Sequence, residues 1–135
     1  MDYVFDACAV IALLNDETGA DTVAALITQA GVGTDRLFMS SVQALEIYYD
    51  RIYVKGRDYA ETVLGSLYSS PIIILQEITR DIIQEAGRFK TSYSMSLGDT
   101  FAAATTKKLT ATLVTRDKEM KAPEEAGEFS VLWLN

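Results

Sequence analysis

Tyr3 to Phe5 is a short β-prone segment, Asp6 ends it, and Ala7 to Leu14 follows at once as a compact apolar stretch of helical character. A strand that runs straight into a buried helix is the building unit of a parallel sheet covered on both faces, so these few residues already point to an α/β fold. The rest of the chain repeats the alternation. Further strands are predicted at Leu37-Phe38-Met39, Ile72-Ile73-Ile74-Leu75, Ala111 to Thr115 and Val131 to Leu134, and the isoleucine run after Pro71 is the strongest of these signals. Helices are predicted from a cap at Asp16 or Thr18 to about Ala30, from Ser40 to Gly56, from Asp58 to Ser69, from Thr79 to about Phe89, and from Leu97 to about Lys107.

In the helix after Ser40, Val42, Leu45, Tyr49 and Ile52 recur at helical spacing and predict its buried stripe, with Glu46 beside them. Ser40-Ser41-Val42-Gln43 matches the S-x-x-Q capping signature. Lys118-Glu119-Met120 predicts a turn or short helix, and Pro123 to Gly127 a loop. No internal repeat or linker interrupts the pattern. With 135 residues and 49% hydrophobic content, one domain spanning 1–135 is expected. The apolar run near the start is too short to cross a bilayer and lacks a basic leader, so the expectation is a soluble, cytoplasmic protein without membrane contact.

The chain contains no histidine and one cysteine, Cys8. That composition excludes Ser-His and Cys-His nucleophile pairs, histidine bases and histidine-bearing zinc sites, and it leaves no internal disulfide. Carboxylates are left to carry any catalysis, and an all-oxygen donor set suits hard cations such as Mg²⁺ or Mn²⁺. The formal charge of -7 argues against a basic nucleic-acid module held by phosphate contacts alone. Four particular acids account for much of that excess.

Asp6 ends the first strand, and Asp117 follows the strand at Ala111 to Thr115 by two residues. Glu46 lies about six residues, or roughly 9 Å, up the helix that leaves the second strand. Asp99 stands in the first turn of a helix that must run antiparallel to the strand it precedes. In a parallel sheet all four fall on the carboxyl edge, where such folds bind ligands. Two charges about 4 Å apart repel by roughly 4 kcal/mol at an effective dielectric near 20, and a cation relieves that repulsion. Local structural roles stand beside this reading. Asp6 and Asp117 also suit N-caps, Asp99 suits the acid of a Ser96 capping box, and Glu46 can pair with Arg51.

At these positions the sequence resembles the PIN domain, and within it the VapC-type toxins of toxin-antitoxin pairs. The matching segments are Val4-Phe5-Asp6-Ala7-Cys8-Ala9-Val10-Ile11, Ser40-Ser41-Val42-Gln43-Ala44-Leu45-Glu46, Leu97-Gly98-Asp99-Thr100-Phe101-Ala102-Ala103-Ala104 and Leu113-Val114-Thr115-Arg116-Asp117. The resemblance implies a three-layer sandwich with a central parallel sheet and helices on both faces. It also implies a Mg²⁺- or Mn²⁺-dependent endoribonuclease, homodimeric, acting on RNA and inhibited by a cognate antitoxin protein. By position Asp6, Glu46, Asp99 and Asp117 match the family's acidic quartet, with Asp6 and Asp99 as the principal metal ligands, and Thr115 matches its small polar residue. Cys8 stands where the family often has Ser or Thr.

Arg116, Lys118 and the Lys107-Lys108 pair are candidates for contacts to substrate phosphates. Tyr48, Tyr49, Tyr53 and Tyr59 suit either a protein interface or the core. Two other readings use the same acids. One is a Mg²⁺-dependent aspartyl-phosphate phosphotransferase or phosphatase with Asp6 as nucleophile, although Cys8 occupies the place where that chemistry wants a second Asp. The other is a non-catalytic, receiver-like binding module whose acids are caps and solvated charges.

Overall fold

The computed structural model describes residues 1–135. Five strands, β1 (Asp2–Phe5), β2 (Arg36–Ser40), β3 (Ile72–Leu75), β4 (Thr112–Thr115) and β5 (Ser130–Trp133), form one sheet in the order β3-β2-β1-β4-β5. Every pairing is parallel. The helices are α1 (Ala7–Leu14), α2 (Ala20–Gly31), α3 (Ser41–Lys55), α4 (Arg57–Ser69), α5 (Arg80–Ser92), α6 (Leu97–Leu109) and α7 (Lys121–Glu125). The architecture is the expected α/β fold with a central parallel sheet.

Successive residues of the central strand face opposite layers, because side chains alternate across a strand. Phe5 packs with Ala9, Val10, Val23, Ile47 and Val63 under α1 to α4, whereas Val4 packs with Phe89, Ala102, Ala103 and Met120 under α5 and α6. Both are fully buried, and burial of each side chain contributes about 1.5–3 kcal/mol. Leu113 and Val114 repeat the alternation on β4. No helix is long and apolar enough to cross a membrane.

Three local expectations are corrected. α2 begins not at Asp16 or Thr18 but after Gly19, whose φ of 96° is left-handed and whose missing Cβ leaves room for Leu134, 2.8 Å from where that atom would stand. Residues Lys121–Glu125 form α7 instead of a loop, with Pro123 in its first turn, where the helix needs no N–H from it. On α3 the buried face is Gln43, Ala44, Ile47 and Arg51, while Leu45 is 57% and Tyr49 45% exposed. The buried face thus carries two long polar side chains. Arg51 is held by Asp50 at 2.6 Å and by the Asn15 side chain at 3.0 Å, and not by Glu46.

Candidate active site

The carboxyl ends of β1 and β4 are adjacent, and they bring Asp6 and Thr115 together. Asp6 caps α1, its Oδ1 accepting from the Ala9 N–H at 3.2 Å, so the capping role foreseen for it is real. The same carboxylate also accepts from the Cys8 thiol at 2.8 Å and from the Thr115 hydroxyl. Thr115 in turn accepts from the Asp117 N–H at 2.9 Å. Cys8 therefore makes with sulfur the contact that a hydroxyl would make. Burial and the Asp6 charge push its thiol up to about 12, so it stays protonated and donates. Burial raises the pKa of Asp6 while these hydrogen bonds oppose the rise.

Asp117 caps the 3₁₀ turn Lys118–Met120 by accepting from the Glu119 N–H at 3.0 Å. Asp99 enters from the first turn of α6, where Ser96 accepts from its N–H at 3.2 Å. It does not complete a capping box. The Ser96 N–H donates instead to Glu119 Oε1 at 3.1 Å, which releases the Asp99 side chain into the cleft. Glu46 reaches the same place from α3, over Gly98: a Cβ on residue 98 would lie 2.5 Å from the Glu46 carboxylate.

Asp6, Glu46, Asp99 and Asp117 thus line one cleft of about 230 Å³, together with Cys8, Gln43, Tyr49 and Asp50. Its electrostatics are those of crowded negative charge. Burial first, then the facing Glu119 and Asp117 carboxylates, push Asp99 up to about 9. Burial and the charges of Asp6 and Asp117 raise Glu46. Asp99 is 8% exposed, and its Oδ2 is buried with no hydrogen-bond partner. Ligand oxygens of Asp99, Asp117 and Glu119 all lie within 4.8 Å of one another. An orphaned buried carboxylate oxygen inside an all-oxygen donor set fits a hard divalent cation.

Glu119 was missed as a site residue in the sequence, where it reads as part of a turn; its signal is the D-x-E spacing from Asp117. Gln43 was missed for a different reason, since it satisfies a capping motif. Its side chain does not cap α3, because Ser40 accepts from the Val42 N–H and Gln43 bonds elsewhere.

Of the basic candidates, Lys118 is exposed and adjoins Asp117, and Arg116 is paired with Glu17 at 2.5 Å. Lys107 and Lys108 lie roughly 12 Å along α6 from Asp99 and are paired with Glu128 and Asp81. A larger cleft, about 740 Å³, opens beside Thr106, Lys107, Glu128 and Ser130. Its charges neutralise one another, with Glu128 bound by Arg88 at 2.8 Å and Lys107 at 3.0 Å.

The PIN domain family model matches residues 3–125, and the chain belongs to that family, whose members are nucleases. Solved structures of toxin-antitoxin proteins share the fold. VapBC2 from Rickettsia felis, bound to a DNA fragment from its promoter, superposes with a TM-score of 0.75 at 16% identity over 100% of both chains. DNA-bound VapBC from Salmonella typhimurium gives 0.73 at 13% identity, covering 100% of this chain and 99% of that one. VapBC-1 from nontypeable Haemophilus influenzae gives 0.71 at 17%, covering 99% and 98%. No curated protein sequence matches the chain.

The contact between Glu46 and Gly98 carries a prediction. Gly98→Ala places a methyl where the flexible end of Glu46 now lies, so stability is expected to hold or rise by about 0.5 kcal/mol from helix propensity. Activity is expected to fall about 10-fold or more, since small displacements of reacting groups are costly. Thermal melting beside a cleavage assay checks this; a parallel loss of both would show that residue 98 matters only for packing.

Proposed function

We propose that residues 1–135 act as one metal-dependent endoribonuclease domain, the toxin of a toxin-antitoxin pair, with Asp6, Glu46, Asp99 and Asp117 as its acidic machinery. The observation that carries the reading is the buried, unpartnered Asp99 Oδ2 facing two further carboxylates. Asp99, Asp117 and Asp6 would hold Mg²⁺ or Mn²⁺, with Glu119 as a further oxygen donor. When bound, such an ion acidifies water and stabilises charge on a phosphoryl oxygen.

The protein's own groups then have distinct tasks. Asp6 is fixed in orientation by Ala9, Cys8 and Thr115. Glu46, which reaches the cleft from α3 and whose pKa is raised by burial and by the charges of Asp6 and Asp117, takes the proton of the attacking water. Lys118 meets a substrate phosphate at the rim. Arg116, committed to Glu17, contributes by holding the end of β4 to the loop before α2.

The phosphotransfer alternative is disfavoured because the residue two places after Asp6, where that chemistry wants a second Asp, is Cys8, whose thiol donates to Asp6 and offers no carboxylate. A receiver-like module gives no reason for an orphaned buried acid. The structural likeness to VapBC complexes supports an antitoxin partner. The exposed Leu45, Tyr49, Tyr53 and Val54 on α3 support association with a second copy or that partner. A free cysteine accords with a cytoplasmic site of action.

The test incubates purified protein with structured RNA, unstructured RNA and DNA, in Mn²⁺, Mg²⁺ or chelator. Cleavage of RNA only with metal is expected. Cleavage that survives chelation would overturn the metal-nuclease reading, and preferential cutting of DNA would overturn the substrate.

A further inference from the structure

Gln43 is 1% exposed, three residues before Glu46 on α3, and both ends of its amide are hydrogen-bonded to backbone. Its Oε1 accepts from the Ala7 N–H at 2.9 Å, and its Nε2 donates to the Gly98 carbonyl at 2.7 Å. An N–H only donates and a carbonyl only accepts, so the partners fix which way the amide points. Ala7 is the residue next to Asp6. Gly98 is the residue next to Asp99. A single side chain thus ties the backbone beside two of the clustered acids to the helix that carries a third.

We propose that Gln43 is a positioning residue that holds the starts of α1 and α6 against α3 and thereby sets the spacing of Asp6, Asp99 and Glu46. The role needs an uncharged group with one donor and one acceptor about two bonds apart, at the end of a long stem. Glutamate in its place would accept from Ala7 but offer Gly98 nothing, and it would add a further negative charge to a cleft already crowded with them. Asparagine is one methylene too short to keep both bonds. Carboxylates that repel one another drift apart unless the backbone beneath them is tied, and outer groups that orient ligands commonly govern affinity by 10- to 100-fold.

This inference rests on the metal-site reading above, and its test separates the two. Mn²⁺ affinity is measured by titration calorimetry on the full chain, with thermal melting in chelator as a stability control. The variants are Gln43→Met, which keeps the volume without the hydrogen bonds, Gln43→Asn, which shortens the link, and Val23→Ala. Val23 is fully buried in α2 and outside the cleft, so this third variant reports what lost stability alone does. Wild type and Val23→Ala are expected to bind Mn²⁺ equally, and the Gln43 variants roughly 10- to 100-fold more weakly. Should Gln43→Met not fold, Gln43→Asn decides the matter. Gln43 variants that bind within threefold of wild type, or that weaken only as Val23→Ala does, overturn the positioning role and leave the metal site standing. A wild-type chain that binds no Mn²⁺ overturns both.

Discussion

Asp99→Asn is expected to lower metal-dependent RNA cleavage by at least roughly 100-fold and, in the metal-free chain near pH 7, to raise stability by about 2 kcal/mol. The two effects have one cause. Asp99 is buried, one of its oxygens has no partner, and the carboxylates of Asp117 and Glu119 face it within 4.8 Å. Without a cation the chain must either hold that charge against its neighbours or protonate it, and both cost stability. Asparagine keeps the shape, the N–H bond to Ser96 and the helix start, yet it removes the charge. For a chain of 135 residues the gain corresponds to a rise in Tm of about 5–8 °C. A variant that is inactive and less stable would mean that Asp99 serves the fold rather than an ion.

The convergence of these acids was legible because it follows from topology alone. Parallel strands place Asp6 and Asp117 on one edge, and a helix feeding a parallel strand must begin there, which carries Asp99 to the same place. Local chemistry was less legible where a residue satisfies two patterns at once. Gln43 completes a capping motif that it does not serve, and Glu119 supplies from 20 residues beyond Asp99 the capping contact that the motif assigns to Asp99. The periodicity of α3 misled for a similar reason. Val42, Leu45, Tyr49 and Ile52 form a stripe two positions away from the buried one, nearly on the opposite side of the helix, and the helix buries Gln43 and Arg51 because those long polar side chains reach partners on other elements. Apolar spacing reports burial only where burial serves packing.

The same crowding predicts an unusual pH dependence. Asp99, Glu46 and Asp6 all have pKa values raised in the folded chain, Asp99 to about 9, so between about pH 4 and pH 9 the native state binds more protons than the unfolded one. Stability from such groups is fully present below the unfolded pKa and is lost as pH rises through the folded one. Glu128, lowered to about 2 by Arg88, acts in the opposite sense, but below that window. The metal-free Tm is therefore expected to fall by about 10 °C, or about 3 kcal/mol, between pH 5 and pH 9. Asp99→Asn should flatten that fall, with the two chains converging as pH drops below about 4, where the wild-type acid becomes neutral in the unfolded state as well. Saturating Mn²⁺ should reverse it, because ligands bind metal in their deprotonated form; a concentration 100 times Kd is worth about 2.7 kcal/mol. Melting curves at several pH values, in chelator and in Mn²⁺, measure all of these slopes. A metal-free Tm that climbs from pH 5 to pH 9, or a wild-type slope identical to that of Asp99→Asn, would mean that the carboxylates of the cleft do not share one strained environment, and the case for a common ion would fall with them.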